Sequence, residues 1–111
     1  MASRNIQHCS HFLQVLIDST TTKKQRLCLL GTSNRAQAEC ILEIIFNCMS
    51  GNVELSTNVN QYLKRHRIIF GEVCNLRRSY KRRLKEIREN IFVIECFFVK
   101  IRGVIKLLVD E

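Results

Sequence analysis

Apolar positions return at three- and four-residue intervals along almost the whole chain. Ile6, Cys9, Leu13 and Leu16, with Phe12 and Ile17 beside them, predict a first amphipathic helix. Ser19 to Thr22 interrupt it with weak helix formers. A shorter helix is expected from about Lys23 to Leu30, with Gly31 placed where a left-handed cap suits glycine. Thr32 or Ser33 can cap the third. There Ala36, Cys40, Ile41, Ile44, Ile45 and Cys48 form a broad apolar stripe opposite Gln37, Glu39, Glu43 and Asn47, and Gly51 ends it.

Gly51 and Asn52 open a loop that closes near Ser56, a good N-cap residue. In the fourth helix Val59, Tyr62, Leu63, His66, Phe70 and Val73 share one face. His66 is in register with these apolar neighbours, which suits a packed or boundary histidine. Gly71 lies within this helix and suggests close packing or a bend. Capped near Ser79, the last pattern is the longest. Tyr80, Leu84, Ile87, Ile91, Ile94, Phe98, Ile101, Ile105 and Leu108 alternate by four and three, a heptad seam over about 79–109. A strand over Ile91 to Val99 competes locally because β-branched and aromatic residues dominate there, but the seam continues on both sides.

Composition supports the same architecture. The chain has 111 residues, no proline and four glycines, too little punctuation for a turn-rich β-sandwich. The expected fold is all-α: one domain over 1–111, a small bundle of about five helices with a long C-terminal helix. The run Ile91 to Val109 approaches the length of a membrane span, yet Glu95, Lys100, Arg102 and Lys106 argue against crossing. Glu95, Arg102 and Lys106 read as a single polar stripe on a core, self-associating or membrane-surface helix.

Charge then changes the picture. The formal net charge is +8. Residues 64–88 carry all of it, with Lys64, Arg65, Arg67, Arg77, Arg78, Lys81, Arg82, Arg83, Lys85 and Arg88 against Glu72 and Glu86. Solvated helix faces usually mix both signs, so a segment this one-sided repels itself. Phosphates would relieve that repulsion, and arginine can hold them in two-point geometry. The ten cations are therefore the candidate nucleic-acid-binding residues, with no catalytic and no metal residues expected.

Other chemistry finds little footing. There is no Gly-rich phosphate loop, G-x-S-x-G, H-E-x-x-H or carboxylate pair set up to separate its pKa values. No enzyme activity and no cofactor are expected. His8, Cys9 and His11 cluster without a C-x-x-C pair to complete a zinc box. Six cysteines scattered singly among apolar residues read as reduced core thiols, and Arg4 and Asn5 open a mixed stretch unlike a secretory leader. An intracellular setting, in nucleus or virion, is expected.

Several segments carry a family resemblance: F-L-Q-V-L (12–16), K-Q-R-L-C-L-L (24–30), Q-A-E-C-I-L-E-I-I-F-N-C-M-S-G-N-V-E-L-S (37–56), Y-L-K-R-H-R (62–67) and S-Y-K-R-R-L-K-E-I-R-E-N (79–90). Over residues 12–90 the chain resembles small basic proteins encoded by adintoviruses and Polinton (Maverick) DNA elements, which are comparable to the adenovirus core peptide precursor. The resemblance implies a virion-core or minor capsid-associated protein. Lys81, Arg82, Arg83 and Lys85, with Lys64, Arg65 and Arg67, would then contact nucleic acid. The chain departs from that pattern at its end, where Ile91 to Val109 holds four charges and one glycine in place of a glycine-containing apolar tail.

Three roles fit these readings. The first is sequence-independent binding of DNA or another polyanion. The second is a peripheral membrane protein that uses the basic block and the apolar C-terminal helix. The third is a homo-oligomer assembled through the heptad seam, its charge serving solubility.

Overall fold

The structure, a computed structural model, describes residues 3–110. Among these residues there are nine α-helices and no strand. They are α1 (Arg4–His8), α2 (Ser10–Ile17), α3 (Lys23–Gly31), α4 (Arg35–Met49), α5 (Thr57–Arg65), α6 (Arg67–Val73), α7 (Tyr80–Glu89), α8 (Ile91–Lys100) and α9 (Arg102–Val109). The all-α class is as expected, but the count is nine and not about five. The difference arises at bends. Cys9, His66, Asn90 and Ile101 each leave helical geometry, with φ between −102° and −119°, and divide three of the expected helices.

The long C-terminal helix over about 79–109 is therefore three helices. The ladder is interrupted at its two bends and resumes with the bond from Ile94 N–H to the Asn90 carbonyl (3.1 Å) and that from Ile105 N–H to the Ile101 carbonyl (3.0 Å). At the first, Asn90 Nδ2 donates to the Glu86 carbonyl (2.9 Å) and to Glu86 Oε1 (3.2 Å). Bending lets one apolar seam wrap around a small core where a straight rod would pass it. Ile87, Ile94, Phe98, Ile101, Ile105 and Leu108 are buried, while Tyr80, Leu84 and Ile91 are partly buried. The seam serves the interior of its own chain, and 91–99 is helix.

Local signals place most helix starts. Thr22 and Asn34 form capping boxes with Gln25 and Gln37, each satisfying an otherwise orphaned backbone N–H. The cap of α4 is thus Asn34, not Thr32 or Ser33. Ser56 and Ser79 cap α5 and α7 as expected. Gly51 has φ +76°, the left-handed conformation that ends α4. Gly31 does not adopt it; helix α3 runs through Gly31 and ends at Thr32, whose hydroxyl donates to the Cys28 carbonyl (2.7 Å). The role of Gly31 is close approach, since an added Cβ would lie 3.4 Å from Ile91 Cδ1. Nothing lies within 4 Å of a Cβ at Gly71, so close packing does not explain that residue, and the bend falls at His66.

Helix α8 lies centrally, against α3, α5 and α7, while α2 packs on α9 and α1 on α4. Phe97 stacks parallel to Tyr62 with centroids 6.5 Å apart and meets Phe70 at 5.0 Å and Phe98 at 6.0 Å. The Tyr62 hydroxyl donates to the Val93 carbonyl (3.0 Å), so this buried ring keeps its polar end satisfied. The Cα radius of gyration is 12.8 Å, close to the ~13 Å expected for a folded chain of this length.

Glu95 corrects the sequence reading. It does not share a solvent stripe with Arg102 and Lys106; it is 2% exposed inside the fold. Lys23 Nζ lies 3.2 Å from its Oε1 and Arg26 Nε 3.2 Å from its Oε2, while Arg26 Nη1 donates to the Thr21 carbonyl (2.6 Å). A buried carboxylate is tolerable only when paired in this way.

Candidate nucleic-acid interface

Helix α7 is a surface helix that rests on the core through Ile87, its one buried residue, with Tyr80 and Leu84 partly buried beside it. That anchoring fixes which way its charges point. Lys81, Lys85 and Arg88 recur at four and three residues and are exposed, as is Arg82. Together with Ser79, Leu84 and Glu89 they line an open concavity of about 570 Å³. Glu89 is engaged with Lys85 at 3.7 Å. The floor is hydrocarbon and the rim cationic, because lysine and arginine stems lie along the helix with their charged ends in water.

The first turn of α7 adds to this field. Lys81, Arg82 and Arg83 occupy it and no acidic residue does, so three cations stand at the positive end of a helix dipole. That arrangement disfavours the isolated helix. An anion at the same end would offset both the dipole and the side-chain charges.

The ten predicted cations do not form one surface. Lys64 and Arg65 end α5 and Arg67 begins α6, all exposed and all outside the α7 concavity. Arg77 is exposed in the connection before α7. Arg78 is half-buried, its Nε 2.7 Å from Glu72 Oε2, an ion contact without hydrogen-bond alignment. Arg83 turns away from Lys81 and Arg82. It lines a groove of about 330 Å³ with Leu42, Phe46, Val73 and Tyr80, and its Nε is shielded from solvent with no hydrogen-bond partner. The structure brings together Lys81, Arg82, Lys85 and Arg88, and diverts Arg78 and Arg83 into packing.

One cationic site was not legible locally. Lys23 and Arg26 converge on Glu95, two cations on one carboxylate, and Lys23 Nζ also lies 5.9 Å from the centroid of the exposed Phe92 ring. Arg26 and Glu95 are 69 residues apart in sequence. No local pattern names the pair, because α3 has a single buried residue, Leu30, and its partner lies far along the chain.

The cysteines are thiols. Burial pushes Cys40 and Cys48 up to about 12, and Cys74 up to about 11; Cys9 is also raised by burial, partly offset by a hydrogen bond to Cys40. These shifts run opposite to those of an activated nucleophile. His8, Cys9 and His11 line a common crevice with Asn34 and Gln37. Among the described residues no group of three or more His, Cys, Asp or Glu is placed to hold a metal ion. Nor is any helix among them long and apolar enough to cross a membrane. No family model matches the chain, and no curated protein and no solved structure shows significant similarity to it.

Proposed function

We propose that this chain is a non-enzymatic nucleic-acid-binding protein that neutralises backbone phosphates without reading base sequence. The observation that carries the reading is the solvent stripe of α7, where Lys81, Arg82, Lys85 and Arg88 surround one concavity whose single acid is Glu89. Phosphate contacts of this kind position a protein on a strand without encoding sequence. The family resemblance over residues 12–90 supports a more particular role, a basic virion-core or minor capsid-associated protein of a viral or transposon-like DNA element, working in nucleus or virion.

The membrane-surface reading is weaker than its sequence suggested. Ile94, Phe97, Phe98, Ile101, Ile105 and Leu108 are buried, so of the apolar C-terminal run Phe92 and Leu107 are the large side chains that a lipid surface would meet. The same burial leaves the heptad seam occupied within its own chain. Fluorescence anisotropy with random-sequence duplex DNA tests the proposal. Affinity should fall steeply between about 50 and 200 mM salt, by about 0.9 log units per log unit of salt for each phosphate neutralised. Absence of binding at about 50 mM salt would reject it.

A further inference from the structure

Phe92 follows the basic stripe of α7 in sequence, in the first turn of α8. Lys81, Lys85, Arg88 and Phe92 follow one another at four, three and four residues, and all four are exposed. The helical ladder is interrupted at Asn90, whose carbonyl accepts from both Val93 N–H (3.0 Å) and Ile94 N–H (3.1 Å), so Arg88 and Phe92 lie on either side of a bend. Phe92 is 64% exposed, on a helix whose other phenylalanines are buried. Beyond it stands Lys23, whose ammonium lies 5.9 Å from the ring centroid. Lys23 and Arg26 together exceed the charge of Glu95, so this end of the stripe also has a positive excess. An exposed aromatic ring thus lies beside one cation, Lys23, and four residues along the chain from another, Arg88.

Resting on the nucleic-acid reading above, we propose that the preferred ligand is a single strand, with Phe92 stacking an unpaired base while Lys81, Lys85, Arg88 and Lys23 hold the flanking phosphates. In a duplex the base faces are already stacked on one another, and only the phosphates remain for this surface. An unpaired base offers a free face, and base–aromatic stacking is tolerant of sequence.

The chain contains no tryptophan, so Phe92→Trp introduces a lone tryptophan, selectively excited over the two tyrosines, at an exposed position. On titration with oligothymidylate or oligouridylate its emission should be quenched, and the two arms distinguish DNA from RNA. Phe92→Ala should weaken single-strand binding roughly five- to hundredfold, while duplex binding stays unchanged. Charge reversal of Lys81 and Lys85 should weaken both. Equal affinity of Phe92→Ala and the parent chain for single strands would overturn stacking while leaving phosphate binding intact. An equal loss on duplex would indicate side-chain wedging into paired DNA and overturn the single-strand preference. Failure of the parent chain to bind either form at low salt would remove both proposals. A blue shift with anionic phospholipid vesicles, without quenching by oligonucleotide, would assign Phe92 to a membrane surface instead.

Discussion

Arg26 Nε lies 3.2 Å from Glu95 Oε2 and ties the start of α3 to a carboxylate buried in α8. Both groups leave water to make this contact, so each is a liability without the other. Lys23 approaches the same carboxylate from solvent, with a side chain 60% exposed. The two cations are not equivalent. Arg26→Met should destabilise the fold by about 3 kcal/mol, since it removes the shielded partner of a buried charge. Lys23→Met should cost less than about 1 kcal/mol. Urea midpoints at unchanged m-value would show the contrast, and equal losses would contradict it.

The α7 stripe and Arg83 should separate in binding experiments. Glu substitution of Lys81, Lys85 and Arg88 should flatten the salt dependence of DNA binding, by about 0.9 in slope for each phosphate that is no longer neutralised. Arg83→Gln should leave that slope nearly unchanged, because its guanidinium lines the groove beside α4 and α6. Anisotropy titrations at several salt concentrations give the slopes directly. A slope that responds as strongly to Arg83 as to Lys85 would place Arg83 on the phosphate surface.

Two glycines should respond in opposite directions to alanine. Gly71 is exposed within α6, and a Cβ there meets nothing within 4 Å. Gly71→Ala should therefore stabilise the protein by about 0.5–1 kcal/mol through helix propensity and reduced unfolded-state entropy. Gly51 has φ +76°, where a Cβ is strained even in open space. Gly51→Ala should cost about 1–2 kcal/mol. Thermal melts of the two variants would move apart around that of the parent chain.

Alkaline pH should unfold the protein through its thiols. Cys40 and Cys48 ionise ordinarily at 9.0 but are held near 12 in the fold, chiefly by burial. Above pH 9 the unfolded chain releases protons that the folded chain keeps, so rising pH favours unfolding. Stability from these groups is fully present below pH 9 and falls progressively toward pH 12. Denaturant midpoints measured across that window should decline, and less steeply in Cys48→Ala. Alkylation at neutral pH followed by mass spectrometry should label exposed Cys28 well before Cys40 or Cys48.

The starts of α3, α5 and α7, which faces are apolar and which segment holds the excess charge could be read from the order of residues. Those features depend on local chemistry: the caps at Ser56 and Ser79, the left-handed turn at Gly51, and the spacing of Ile41, Ile44, Ile45 and Cys48. The bends and the fate of the seam came from the folded chain. Periodicity cannot tell a straight heptad seam from one bent at Asn90 and Ile101, because both present the same residues to an apolar surface. Nor does it tell whether that surface belongs to a second chain or to the same one. The fate of individual charges is likewise non-local. Glu95 became a buried partner of α3, Arg83 turned into a groove, and Lys81, Lys85 and Arg88 remained in solvent. Burial and pairing depend on which elements close over each side chain, and chain closure brings those elements from distant parts of the sequence.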